Sequence, residues 1–138
     1  MMHPIIVHLK VNPTFKSFDN DVNNFFNLIG TMDLMPCVGS PVYGSKPHFL
    51  DSDPALLENI IGMNPNRSLH DVYVDFELQS GTPLSAAKRL QFSLEMTPLE
   101  EYTMLSKIPK MFMPLFWIEE GIQLNKTYTN LLKYQLFL

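Results

Sequence analysis

Val72-Tyr73-Val74-Asp75-Phe76-Glu77-Leu78 and Arg89-Leu90-Gln91-Phe92-Ser93-Leu94-Glu95-Met96 decide the fold of this chain. Both runs alternate apolar and polar residues. A period of two puts Val72, Val74, Phe76 and Leu78 on one face of a strand, with Asp71, Tyr73, Asp75 and Glu77 on the other. In the second run Leu90, Phe92, Leu94 and Met96 share a face opposite Arg89, Gln91, Ser93 and Glu95. A proline-bearing turn, Ser80-Gly81-Thr82-Pro83, lies between them, so the runs read as a half-buried β-hairpin whose strands face each other. On this pattern the apolar face is expected to be covered and the polar face wetted. A hairpin alone is marginal in water, so its apolar face has to meet more sheet, helices or an apolar ligand.

Upstream, Asp53-Pro54-Ala55-Leu56-Leu57-Glu58-Asn59-Ile60-Ile61-Gly62 has an acceptor at the cap, proline in the first turn and glycine past the end, which predicts a short helix. Asn64-Pro65-Asn66 is turn chemistry that delivers the chain into the hairpin. Gly30, Pro36, Gly39, Pro41, Gly44 and Pro47 punctuate loops and short extended pieces, with Val42-Tyr43 and His48-Phe49-Leu50 as strand ends. Asn12, Asn20, Asn23, Asn24 and Asn27 crowd the first segment, and residues 1–29 read as a poorly ordered arm. Downstream, Pro98 stops the second strand and Leu99 to Leu105 predicts a helical turn or two. Met111 to Ile118 is extended and apolar, and Pro114 puts that strand at an edge, at a bulge, or breaks it in two. Tyr128, Leu131, Leu132 and Leu136 predict a terminal helix over Asn125–Leu138. The expected fold class is α+β, mainly antiparallel β, with short flanking helices.

Composition places the chain without naming a function. Its 138 residues are 46% hydrophobic and 17% charged, as in an ordinary globular domain. The net charge of −4 comes from scattered acids and the one basic doublet is Lys88-Arg89, so no stripe tracks the phosphates of a nucleic acid. No run approaches the roughly 20 apolar residues of a membrane helix, and the apolar stretch at Ile5-Ile6-Val7 lacks a signal peptide's positive start. His3, His8, His48 and His70 are dispersed without ligand spacing, which argues against a metal. Asp51/Asp53, Glu100/Glu101 and Glu119/Glu120 are too close in sequence for opposed acid and base roles, and they read as caps or solvated faces. No catalytic residue and no cofactor are expected. Cys37 is a buried apolar thiol or half of a bridge whose partner lies elsewhere, and nothing electropositive beside it suggests a nucleophile. Two sequons pass the spacing rule, Asn66-Arg67-Ser68 and Asn125-Lys126-Thr127, and they carry sugar only in an exported protein.

Gly30-Thr31-Met32-Asp33-Leu34, Cys37, Pro41-Val42-Tyr43, Lys46-Pro47-His48-Phe49-Leu50 and Gly62-Met63-Asn64-Pro65-Asn66 follow one another in an order and spacing that resembles the class B scavenger receptor family. The similarity continues through Asp75-Phe76-Glu77, Ser80-Gly81-Thr82-Pro83-Leu84, Ala86-Ala87-Lys88-Arg89-Leu90-Gln91 and Leu115-Phe116-Trp117-Ile118-Glu119-Glu120-Gly121. It covers residues 30–138, leaves 1–29 unmatched, and corresponds to the C-terminal portion of an ectodomain with a partial β-barrel-like core. The resemblance implies a lipid-carrying receptor of the cell membrane with its ectodomain outside the cell. Its insect branch implies an olfactory-neuron protein that passes lipid or lipid-derived pheromone toward an odorant receptor. Cys37 would then be half of a disulfide, and Asn125, unlike Asn66, falls where the family also carries a sequon. Val72, Val74, Phe76, Leu90, Phe92 and Leu94 become candidates to line the lipid path, their bland alternative being ordinary core. The alternative function is a truncated soluble protein without transport activity that acts, if at all, by pairing its strands with a partner.

Overall fold

The computed structural model describes residues 6–10 and 29–137. They form β1 (Ile6–Lys10), β2 (Thr31–Asp33), α1 (Met35–Val38), β3 (Val42–Ser45), α2 (Arg67–His70), β4 (Tyr73–Glu77), β5 (Pro83–Met96), β6 (Met111–Gln123) and α3 (Lys126–Phe137), with 3-10 turns at Pro47–Phe49 and Pro54–Leu56. The fold is α+β, mainly antiparallel, and its six-stranded sheet is open rather than closed into a barrel. The 14-residue β5 is the axis. On one edge β6 pairs with it from Ser85 to Met96. The other edge is shared end to end, by β4 along Pro83–Ala87 and by β3 along Gln91–Leu94. β1 continues the sheet from β4, and β2 from β3. Ile6–Lys10 of the expected arm is therefore a strand, and the rest of that arm lies outside the described residues save Ile29.

The hairpin forms with a different register from the one its two alternating runs suggest. The Glu77 carboxylate accepts hydrogen bonds from the backbone N–H of Gln79 (3.1 Å) and Ser80 (2.7 Å) and from the Ser80 hydroxyl (2.8 Å). Gly81 turns there at φ 67, a conformation glycine adopts without strain. The reversal is complete within five residues, so β4 meets Pro83–Ala87 and leaves Leu90–Met96 to β3. In β6 the register slips where Phe92 faces Phe116 and Ser93 faces Pro114, leaving Leu115 as the extra residue. Proline is tolerated because it sits at a bulge in a strand that pairs with β5 alone among the described strands.

Helices are fewer than the caps promised. Asp53 does cap, its Oδ1 accepting the Ala55 N–H at 2.9 Å, but only the 3-10 turn Pro54–Leu56 follows. Ten residues ending in Ile60-Ile61-Gly62 are too few to sustain a helix on local propensity. Leu99–Leu105 makes turns, with Tyr102 N–H bonded to Leu99 O, and no helix. α3 lies where the terminal periodicity puts it.

The largest departure concerns which face of the sheet is covered. The chain between β3 and β4 folds over the polar side of β5, so Gln91 and Ser93 are 2% and 1% exposed. On that side Phe49 and Leu56 from the 3-10 turns pack with Phe112 of β6, joined by Tyr43, Leu57 and Ile60. The Tyr43 and Phe112 rings meet edge-on at 4.6 Å. Phe112 is fully buried whereas Met113, on the other face, is partly exposed. Phe112→Ala is expected to cost about 3–5 kcal/mol and Met113→Ala about 1 kcal/mol or less, read as shifts in the urea unfolding midpoint of the protein.

Candidate functional site

The described residues lay no second layer over the apolar side of the sheet. Leu90, Phe92 and Leu94 lie in a row on β5, and Phe92 meets Phe116 of β6 with ring centroids 5.2 Å apart. The ladder places Ile118 opposite Leu90 and Met113 opposite Leu94. On the β3 side, Gly44 faces Phe92, and Leu34, Leu90 and Met32 close over it so tightly that a Cβ there would meet the two leucines at 3.4 Å. Toward β6 the face opens: Phe116 is 56% exposed and Ile122 62%. Val74 and Phe76 belong to β4, beside the other half of β5, with Val74 opposite Ala86 and Phe76 opposite Pro83. Val72 just precedes that strand. The six candidate lipid-contacting residues thus occupy two neighbouring stretches and not one cluster. Val72 and Val74 line an open groove of about 570 Å³ together with Ala86, Ala87 and Gly121 and the charged Lys88, Glu119 and Glu120.

β6 contributes residues that the alternation argument missed. Met111 to Ile118 is almost wholly apolar, and the Leu115 bulge switches which parity faces which side, so no period is legible in it. The Pro114 signal marked the place of the switch but not its consequence.

The covered side is built from charge. The Lys46 ammonium, its side chain 4% exposed, bonds Asp51 Oδ2 at 2.8 Å and Asp71 Oδ1 at 2.7 Å. Arg67 from α2 reaches Asp71 at 3.3 Å and pairs with Asp51 as well. Burial pushes both carboxyls up, but bonds from Lys46 and Arg67 outweigh it and hold their pKa values below the usual carboxylate range. Arg89 donates to Asp71 O and to Glu119, lying over the Tyr73 ring. His70 stacks on His48 at 4.3 Å and abuts Trp117 edge-on at 6.0 Å. Each imidazole accepts a backbone N–H at Nδ1, His48 from Asn64 (3.1 Å) and His70 from Asn66 (3.0 Å). Burial, then the charges of His48 and Arg89, depress the His70 pKa, which keeps the ring neutral. Among the described residues no His, Cys, Asp and Glu cluster could hold a metal.

Cys37 sits on α1, which buries no residue, and its thiol is exposed. The buried-thiol reading is therefore corrected: the one turn Met35–Val38 has no residue buried against the sheet. Asn66 is the exposed N-cap of α2, and its Oδ1 accepts from Ser68 N (3.0 Å) and Ser68 Oγ (2.7 Å). Asn125 is exposed before α3, with Thr127 N–H donating to its Oδ1 at 3.3 Å.

The sequence profile of the CD36 family, the class B scavenger receptors, matches residues 5–138. The chain belongs to the CD36 family. The match takes in residues 5–29 as well, where no family motif was evident. Sensory neuron membrane protein 1 of Aedes aegypti is 59% identical over 109 residues, 79% of this chain and 20% of that protein. The Anopheles gambiae protein of the same name is 50% identical over 135 residues, 94% of this chain and 25% of its own length. That of Mamestra brassicae is 50% identical over 109 residues, 79% of this chain and 21% of its own. The chain therefore spans a fifth to a quarter of the CD36-family relatives it matches. None of the described helices is long and apolar enough to cross a membrane.

The buried groups fix how stability responds to acid. Folding lowers the His70 pKa, so below its ordinary 6.5 the unfolded chain takes the proton first and stability falls with pH. Asp51 and Asp71 are also lowered, so a second loss begins below about 4, where unfolded carboxylates protonate. Thermal midpoints followed by circular dichroism should drop in two steps on acidification, and His70→Gln should remove the first while sparing the second.

Proposed function

We propose that this chain is part of the extracellular ectodomain of a CD36-family membrane receptor, and that the apolar face of its sheet borders the path of a bound lipid. In the sensory setting of its relatives the ligand is a lipid-derived pheromone, handed on to an odorant receptor. No catalytic step is involved. The observation that supports this reading best is the inverted covering of the sheet. The chain commits residues 46–71 to the polar side, while Phe116, Ile118 and Ile122 stay open on the apolar side. Exposed apolar surface of this kind marks a ligand or partner surface. The outer edge of β6 is where the remaining ectodomain continues the sheet, Cys37 is bridged to a cysteine elsewhere in the receptor, and Asn125 carries sugar.

The test is lipid loading of the full-length receptor at matched surface levels. Phe116→Asp, at a position open enough to accept a charge without unfolding, and Phe92→Asp should each lower loading at least about tenfold, since a carboxylate facing an acyl chain costs more than the 1.4 kcal/mol equal to that factor. Phe92→Leu should load nearly as the parent does. Wild-type loading by both aspartate variants would overturn the reading.

A further inference from the structure

We propose that Asn66 carries an N-linked oligosaccharide, and that this sugar marks the layered side of the sheet as the outer surface of the ectodomain. The inference rests on the reading of the chain as extracellular. Asn66-Arg67-Ser68 has the required hydroxyl and no proline in the middle, and all three residues are exposed. The local geometry is compatible with a modified side chain. Oδ1 of Asn66 is already engaged, accepting from Ser68 N at 3.0 Å and from Ser68 Oγ at 2.7 Å. Nδ2, the atom that bears the sugar, makes no hydrogen bond among the described residues. Substitution at Nδ2 therefore leaves the cap of α2 intact, together with the Asn66 N–H bond to His70.

The donor is a lipid-pyrophosphate-linked oligosaccharide. A bond forms between Nδ2 and the anomeric carbon, the bond from that carbon to the phosphate oxygen breaks, the lipid pyrophosphate leaves, and Nδ2 gives up one proton. The position of Asn66 adds the topological content. It caps the helix whose Arg67 reaches Asp51 and Asp71, so it belongs to the layer over the polar side of β5. A hydrated sugar cannot share an apolar lipid path without losing its water. Sugar on this layer leaves the opposite face, with Phe92 and Phe116, to line the interior.

The full-length receptor made in insect cells would be treated with a peptide N-glycosidase in heavy-oxygen water and its peptides weighed. The Asn66 peptide should carry the heavy-oxygen aspartate that marks a former glycan, and Ser68→Ala should abolish it and sharpen the receptor band by one glycan. Asn66→Asp keeps an acceptor at the cap, so it removes the sugar while sparing the fold. An unlabelled Asn66 peptide overturns the proposal, whatever Asn125 shows. Lipid loading is scored separately. An unlabelled Asn66 with loading sensitive to Phe116→Asp refutes the sugar alone, and a labelled Asn66 with loading indifferent to that change refutes the lipid reading alone.

Discussion

The buried ammonium of Lys46 is the constraint on which the second layer depends. It stands just past β3 and grips Asp51, beyond the 3-10 turn, and Asp71, just before β4, so it ties together three points of the connection. Removing this cation would leave the buried Asp71 carboxylate with the more exposed Arg67, at 3.3 Å, as its cationic partner among the described residues, a loss that exceeds any net gain from the intact pairs. The pairs also hold an uncomfortable backbone. His48, Phe49 and Asp51 have φ of 56, 54 and 60, each costing of order 1–3 kcal/mol for a residue with a side chain. Three contacts keep the turn there: Asp51 is held by Lys46 and by Arg67, and the His48 N–H donates to Gln91 Oε1 at 2.8 Å.

From this follows the orientation of the sheet. Once residues 46–71 are fastened over β5, the side chains beneath them have to satisfy polar groups as well as pack. Gln91 serves both ends, accepting from His48 and donating to Ser45 Oγ. Arg89 reaches the Asp71 carbonyl from the sheet below. Apolar filling comes from Phe49, Leu56 and Phe112 rather than from the alternating leucines and phenylalanines of β5. Those remain on the open face, where a lipid would supply the apolar neighbours the described chain does not.

The strands from β3 onward, the edge or bulge among the three alternatives at Pro114, and the terminal helix were legible because each is set by residues close in sequence, whereas β1 fell in the segment read as a poorly ordered arm. Period two in 72–78 and 89–96 identified both strands and sorted their side chains correctly into two sets. It could not tell which set would be covered, because that was settled by partners far along the chain. Lys46 and Asp71 are 25 residues apart, and His48 and Gln91 are 43 apart. The usual inference that the polar set faces water failed because residues 46–71 fold over it, with Gln91 partnered by the His48 N–H and the Ser45 hydroxyl while the Ser93 hydroxyl is buried with no hydrogen bond among the described residues. Register was hidden for a local reason: Glu77 was read as a face residue, whereas its carboxylate builds the turn. Cys37 showed the limit of residue averages, since a typically buried side chain sits on a turn that packs no residue into the core.

The central claim is that lipid meets the apolar face and never the layered one. A fatty acid bearing a diazirine in its chain, loaded into the full-length receptor and photolysed, tests this most directly by peptide mapping. The account predicts adducts on Leu90, Phe92, Phe116 or Ile118, at levels that unlabelled lipid competes away. Competable adducts on Phe49, Leu56 or Gln91, or none anywhere in this stretch, would contradict it.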